Sequence, residues 1–310
     1  MDARRKRSVV PFRVSPMLAT LEERPFHRAD WIYEEKYDGI RILAYREGAK
    51  VSLISRNGKD RTQSFPAIAN AIMKLRAEAA LLDGEVIVLD KRNVSRFQLL
   101  QQGKGEPRFA VFDCLYLNGE DLRKEPLSDR RAKLEYLVKS SSLLSVSARL
   151  ADNGLRAFEI AKRRQLEGLV AKNLKSVYVE YRSREWLKVR VIRQQEFVIG
   201  GFTPPEGARE YFGALLLGVY AKGRLIYVGK VGTGFDQASL ASLHRKFLSL
   251  AQKSSTFDSL IREKQVTFVA PKLVGQISFT EWTKDGKLRH PVFLGLRDDK
   301  SPREVRREEN

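Results

Sequence analysis

Apolar and polar positions alternate in short runs over much of the chain, the pattern of half-buried strands. Such runs fall at 30–37, 41–46, 50–55, 84–89, 108–116, 168–172 and 186–192. Three stretches keep helical spacing instead. In 65–80 the apolar residues stand at 65, 68, 69, 72, 73 and 75, and 129–138 and 154–164 read likewise. The links at 46–50 and 55–59 are too short for parallel crossovers, so pairing is expected to be largely antiparallel.

The pattern changes near 193. Strand signals follow at 196–202, 211–221, 224–231, 273–283 and 287–293, with one helix at about 236–252. Short strands, Gly-rich turns and a single inserted helix suggest a small barrel, and an OB-fold fits. The expected fold class is therefore α+β in two domains, 15–192 and 193–302, with a hinge at 191–195. Residues 1–14 read as a basic flexible arm and 303–310 as a charged tail.

Composition narrows the function classes. With 43% hydrophobic and 31% charged residues, 310 residues suit a soluble globular protein with a sizeable core. The longest apolar candidate for a membrane span, 212–221, is broken by Gly213 and Gly218, and no signal-type apolar region follows the basic N-terminus. One cysteine, Cys114, sits in an apolar run and reads as a buried thiol, and three scattered histidines argue against a His-based metal site. The net charge of +19 points to a polyanionic partner, with nucleic acid favoured over an acidic membrane. If about five phosphates are neutralised, binding should fall with salt at a log–log slope of roughly −4 to −5.

The chemistry centres on Glu34-Glu35-Lys36-Tyr37-Asp38-Gly39-Ile40-Arg41. It follows the apolar Trp31-Ile32-Tyr33 and reads as a strand end entering a Gly turn. Strand alternation sends Glu34 and Lys36 one way and Tyr33, Glu35 and Tyr37 the other. A lysine in that position becomes a nucleophile once its proton is removed, which desolvation and a nearby cation favour.

Further stretches stand in a fixed order: Ser55-Arg56-Asn57-Gly58, Asp83-Gly84-Glu85-Val86, 109–116, Glu167-Gly168-Leu169-Val170-Ala171-Lys172, Trp186-Leu187-Lys188-Val189-Arg190 and 293–300. Together with Lys36-Tyr37-Asp38-Gly39-Ile40-Arg41, this ordered set resembles the ATP-dependent DNA ligases of the covalent nucleotidyltransferase superfamily. It is most similar to the small bacterial type, the LigD ligase module and its LigC-like stand-alone relatives. The resemblance covers about 15–302 and implies an adenylation (nucleotidyltransferase) domain followed by an OB-fold barrel.

The resemblance implies roles residue by residue. Lys36 would attack the ATP α-phosphate to give lysyl-AMP. Lys172 and Lys188 would absorb charge at that phosphate, with Arg190 nearby. Glu167 would hold Mg²⁺, with Mn²⁺ as the alternative, and Glu85 would sit near the ribose and a second metal. Phe112 would stack on adenine, and Glu34 with adjacent backbone would read its N6 edge. Arg41 and Arg56 would hold ribose and a phosphate, Arg182 would contact nucleotide, and Arg297 and Lys300 would reach the pyrophosphate from the barrel. Implied partners are nicked double-stranded DNA and a Ku-like end-binding protein, for a monomer at the bacterial nucleoid in the cytoplasm, not secreted and without membrane contact.

Two positions depart from the family pattern. Arg190 stands where lysine is common, and Glu35 where relatives are often apolar. DNA gripping is expected from the two-domain cleft, the barrel face and residues 4–7, without an extra encircling domain before residue 15 or an attached polymerase or phosphoesterase. The alternatives are an RNA ligase or capping-type nucleotidyltransferase and, from another class, a catalytically silent nucleic-acid-binding protein of the same fold.

Overall fold

The structure is a computed structural model that describes residues 10–138, 142–259, 261–263 and 265–308. The chain divides into two compact units, Met1–Val191 and Ile192–Glu309.

The first unit runs β1 (Leu18–Leu21), β2 (Trp31–Glu35), β3 (Ile40–Glu47), β4 (Lys50–Ser55), α1 (Pro66–Met73), β5 (Ala79–Ile87), α2 (Phe97–Gln101), β6 (Arg108–Leu117), β7 (Glu120–Asp121), α3 (Leu127–Leu137), β8 (Leu144–Val146), β9 (Arg149–Ala151), α4 (Gly154–Arg163), β10 (Gly168–Asn173) and β11 (Arg182–Arg190). One sheet has the order β1-β11-β10-β2-β9, the other β4-β3-β5-β6-β7 with β8 beside β6. Pairing is antiparallel except for β1–β11 and β6–β8.

Alternation along the strands sorts the side chains into layers. Tyr33, Leu169, Ala171, Leu187 and Val189 leave the first sheet on one side and bury against Ala157 of α4. Ile42, Ala44, Leu82, Val86 and Val111 leave the second sheet and meet Ile68 and Ile72 of α1 and Leu134 of α3. The remaining faces meet each other: Leu43, Tyr45, Leu81, Phe112 and Leu115 from one sheet pack with Trp186 and Met17 of the other. Each fully buried Val, Leu, Ile, Phe or Met among them contributes about 1.5–3 kcal/mol.

The second unit runs β12 (Gln194–Phe202), β13 (Leu215–Ala221), β14 (Arg224–Val231), α5 (Gln237–Leu248), β15 (Ala251–Gln252), β16 (Thr267–Ser278), β17 (Glu281–Trp282), β18 (Leu288–Arg289) and β19 (Val292–Leu296). Its main sheet has the order β14-β13-β12-β16-β15, with β19 on β16. The sheet curls so that the Phe293 N–H of β19 donates to Thr233 O just past β14 (3.0 Å). Gly234 is required at that seam: its φ is +94°, and a Cβ there would sit 2.1 Å from Phe293 O. A capping box between Asp236 and Ser239 starts α5, whose Leu240, Leu243 and Phe247 fill the core.

Several sequence expectations need correcting. The helix expected over 65–80 ends at Met73, and Ala79 already pairs with Glu47 in the second sheet. Arg46 of β3 donates to Ile72 O (3.0 Å) and Leu75 O (2.5 Å), adding to the turn hydrogen bonds those carbonyls accept from Leu75 N–H (3.2 Å) and Ala77 N–H (2.9 Å) where the helix stops. The arm is not free throughout 1–14: Val10 and Val14 are buried with Leu43 and Tyr45, while 1–9 lie outside the described residues. The expected hinge is shortened, because Gln194 and Gln195 already belong to β12 and pair with Ser278 and Ile277. Residues 303–308 pack onto the barrel, where Val305 is buried and its carbonyl accepts from Tyr220 N–H (2.8 Å).

Candidate active site

Register places the charged residues. Glu34 of β2 lies opposite Val170 of β10, which lies opposite Lys188 of β11. Lys172 pairs with Trp186, and Gly168 with Arg190. Residues in register or two apart share a face, so Glu34, Lys172, Trp186, Lys188 and Arg190 all project towards the layer between the sheets. In the second sheet Arg41 lies opposite Glu85, and Leu43 opposite Asp83, on the face that carries Leu43 and Tyr45 into that layer. The two sheets thus hold an apolar floor with a charged cluster beside it.

Lys36 sits one residue beyond β2. Its backbone N–H donates to Gly168 O (3.1 Å), which pins the lysine to the start of β10. Its ammonium is ion-paired with Glu167 Oε1; the lysine side chain is 20% exposed and the carboxylate 6%. Gly39 explains the turn that follows: a Cβ there would sit 2.1 Å from Val86 O. The backbones approach so closely that only glycine fits.

Two buried networks flank Lys36. In the first, Asp83 accepts from Arg41 Nε and Nη2 (both 2.6 Å) and from the Tyr178 hydroxyl (2.7 Å). Arg41 also donates to Met17 O (3.1 Å), and its guanidinium lies 4.6 Å from the Phe112 ring centre. Burial alone would lower the Arg41 pKa; Asp83 beside it overrides this and raises it. Burial raises the Tyr178 pKa, with Asp83 adding to the effect. In the second network, Glu34 is ion-paired through Oε1 with Arg131 of α3 and through Oε2 with Lys172 Nζ (2.7 Å). The Lys172 ammonium lies 4.4 Å from the Phe112 ring centre and 4.3 Å from that of Trp186. Burial lowers its pKa, and Glu34 offsets part of that.

The structure brings together most of the predicted residues. Lys36, Glu34, Arg41, Glu85, Phe112, Glu167, Lys172, Lys188 and Arg190 all belong to the cluster between the sheets or its rim. Lys172, expected with Lys188 at the α-phosphate, is buried and ion-paired with Glu34 (2.7 Å). Arg56 is half-buried in the turn after β4. Arg182 is exposed at the start of β11 and donates to Ala19 O (2.5 Å). Glu35 points away from the cluster, as alternation requires, with its carboxylate 3.4 Å from Arg164. Arg297 and Lys300 belong to the second unit, on Asp299 (2.8 Å) and Glu196 (3.0 Å).

Five buried residues escaped the sequence reading: Asp83, Tyr178, Arg131 and the paired Asp113 and Arg130 (2.8 Å). Asp83 was within reach, because it stands two residues before Glu85 and shares its face. Tyr178 lies in a connection; Arg130 and Arg131 stand between Leu127 and Leu134 on the buried face of α3, so helical spacing could have found them, but their charge reads as exposed.

Comparison with known proteins settles the family. Residues 16–190 match the family model of the ATP dependent DNA ligase domain, and 208–300 that of the ATP dependent DNA ligase C terminal region. The chain belongs to the ATP-dependent DNA ligases. It is 40% identical over 309 positions to the multifunctional non-homologous end joining protein LigD of Pseudomonas aeruginosa, covering 96% of this chain and 37% of that protein. It is 31% identical to a DNA ligase of Thermococcus fumicolans, covering 88% of this chain and 53% of the relative. The ligase thus spans between about a third and a half of the length of these curated relatives. Among solved structures, mycobacterial DNA ligase D complexed with ATP and MES superposes with a TM-score of 0.73 at 34% identity, covering 94% of this ligase and 97% of that chain. The ligase domain of Mycobacterium tuberculosis LigD does so with a TM-score of 0.54 at 35% identity, covering 95% and 98%. The two-domain α+β ligase fold, with its C-terminal OB-fold domain, is therefore shared.

The oxygen donors fit a metal completed by substrate. Among the described residues no three of His, Cys, Asp and Glu gather into a metal-binding group. Glu167 and Glu85 offer separate carboxylates, which suits Mg²⁺, an ion held by one or two carboxylates together with phosphates and water. Among the described residues, no helix is long and apolar enough to cross a membrane.

Proposed function

We propose that this ligase seals 5′-phosphate/3′-hydroxyl nicks in duplex DNA through lysyl-AMP formed on Lys36, in the end-joining repair named for its LigD relatives. The supporting observation is the Lys36–Glu167 pair at the edge of a buried, cation-rich layer. Glu167 orients the lysine side chain through this ion pair. Once its proton has passed to solvent, Nζ forms a P–N bond to the ATP α-phosphate as the bond to pyrophosphate breaks. Lys188 and Arg190, on the same sheet face, stabilise the phosphate charge. Mg²⁺ on Glu167 or Glu85 supplies further charge neutralisation when bound. AMP then passes to the 5′-phosphate of the nick, and the 3′-hydroxyl displaces it to form the phosphodiester.

Phe112 stacks on adenine, Glu34 reads its edge, and Arg41, Arg56 and Arg182 bind ribose and phosphate. Arg297 and Lys300 act in the first step. The surplus of cations supports DNA as the polyanion, bound by a monomer in the bacterial cytoplasm, with a Ku-like protein bringing ends together.

Mass spectrometry of the purified protein with ATP and Mg²⁺ tests the reading. One AMP on Lys36, absent in Lys36→Arg, is expected, and nicked DNA should discharge it faster than nicked RNA. AMP on another residue, or none, overturns it.

A further inference from the structure

We propose that Lys91, Arg92, Lys162, Arg163 and Arg164 form a ridge that grips backbone phosphates of the duplex beside the nick. This rests on the reading of the protein as an enzyme that seals DNA. The five cations come from two turns that meet tip to tip, and all are exposed. Asp90 folds the first turn: its side chain accepts from the N–H groups of Arg92 (2.8 Å) and Val94 (3.0 Å), which leaves Lys91 and Arg92 at the tip. The second is the end of α4 and the residues after it. Asn93 and Gln165 both adopt left-handed backbone, with φ of +55° and +56°. Each tip bonds the other: Arg92 donates to Gln165 Oε1 (3.2 Å), and Arg164 to Asn93 O (3.4 Å). Beneath them Val94, Ala161 and Leu166 are buried together.

Charge balance marks this place out. Elsewhere in the first unit exposed cations have acids beside them: Arg123 has Asp121 and Glu180, Lys133 has Glu120, and Lys175 has Asp30. At the ridge, Asp90 is taken by Arg96 (3.0 Å) and the buried Glu35 by Arg164 (3.4 Å). Among the described residues, Lys91, Lys162 and Arg163 have no ion-pair partner. Glu159, one turn before Arg163, leaves the ridge still strongly positive. The helix dipole favours cations in the last turn of α4, which accounts for Lys162 and Arg163. It does not account for Lys91 and Arg92, which arrive from another segment and add to the repulsion. Like charges gathered in this way cost stability until an anion joins them.

The ridge lies at the end of the sheets that carries Lys36. There β2, β5 and β11 stop, and β3 and β10 begin. Ser95 Oγ accepts from Asp38 N–H (3.0 Å) and Asp38 Oδ2 from Phe97 N–H (3.3 Å), which ties the first turn to the residues just after Lys36. Arg164 touches Glu35, just before it. The 5′-phosphate of a nick must come to Lys36 to receive AMP, so the duplex around it passes this end of the unit. Duplex DNA carries one charge per ~1.7 Å of axis, so several phosphates meet such a ridge together.

Lys91→Gln, Lys162→Gln and Arg163→Gln, combined in the intact protein, remove charge and leave the bonds of Arg92 and Arg164 in place. Binding of the pre-adenylated protein to a nicked duplex is measured over a range of salt. The log–log slope should shrink by about 2–3, at ~0.9 per phosphate, and affinity at moderate salt should fall roughly 100-fold. Single-turnover sealing should show a raised KM and an unchanged plateau rate, while AMP transfer from ATP to Lys36 without DNA keeps its wild-type rate. The charge-keeping set Lys91→Arg, Lys162→Arg and Arg163→Lys should bind as wild type does. An unchanged slope overturns the ridge and leaves the ligase reading standing. So does a loss that the charge-keeping set shares, or one that slows adenylation and sealing by the same factor. If wild-type protein seals no nicked duplex, the ligase reading itself fails.

Discussion

Asn in place of Asp83 gives the sharpest energetic test of the layer between the sheets. Asp83 is fully buried and accepts three hydrogen bonds, two from Arg41 and one from Tyr178. Asn keeps the shape but removes the charge and one acceptor. Arg41, whose side chain is 19% exposed, is then left as a nearly buried cation without its counter-ion. Breaking a buried pair from one side costs about 3–5 kcal/mol. The stranded Tyr178 hydroxyl adds about 1 kcal/mol. The Phe112 ring and Met17 O still attract Arg41 and return about 1 kcal/mol. The net loss is therefore about 3–5 kcal/mol, a large part of a domain's ~5–15 kcal/mol. At ~2–4 °C per kcal/mol for a domain of this size, the melting temperature should drop by roughly 6–20 °C.

Calorimetry of wild type, Asp83→Asn, Arg41→Met and the double variant supplies the assay. The double variant strands no charge, so it should lose less than the sum of the singles by about 2 kcal/mol or more. A single loss under about 1 kcal/mol, or simple additivity, would refute the claim that the network is a desolvated unit.

Three further outcomes follow from other parts of the first unit. Gly39→Ala should destabilise by more than about 2 kcal/mol and slow adenylation of Lys36, because the new Cβ meets Val86 O at 2.1 Å; a normal melt would remove the close-approach argument. Burial, with Asp113 beside it, pushes the Cys114 thiol up to about 12, so a thiol reagent at pH 8 should label it only after denaturation, and fast labelling of native protein would contradict its burial. Burial holds the Glu35 carboxyl above its ordinary value, Arg164 offsets part of this, and Oε1 has no hydrogen-bond partner in the structure. An acid raised in the folded state binds its proton more tightly there, so stability is lost as pH climbs above about 4.3. Glu35→Gln should therefore be more stable than wild type at pH 7.5 and match it below about pH 4; a variant less stable at pH 7.5 would reverse the sign.

Much of the site was legible because strands have a period of two. Once Lys36 is put at a strand end, Glu34 must share its side and Glu35 must not, and the structure keeps that division. The same rule links 168, 170 and 172 to 186, 188 and 190 through one antiparallel register. Asp83 follows from Glu85 by the same step of two. Helices and connections carry no such parity. Arg130 and Arg131 are neighbours on α3, yet one closes on Asp113 and the other on Glu34. Tyr178 reaches Asp83 from a connection whose path only the folded chain defines. Ala79 and Ala80 favour helix by propensity, and pairing with Glu47 and Arg46 overrides it for the strand.

Lys172 shows where pattern stops and packing begins. Alternation correctly turns it into the layer, but depth in that layer is set by what lies beneath. Phe112 and Trp186 form a floor that accepts a cation, and Glu34 supplies the charge that keeps it there. Lys188, one rung away on the same face, is only half-buried. Two lysines with the same sheet orientation thus meet different surroundings, one dry and paired, one near the rim. A buried, paired lysine has lost side-chain freedom and gained a fixed direction in which to donate, whereas a half-buried one keeps more of its reach. Sheet parity gives both lysines the same orientation, and packing alone makes their surroundings differ.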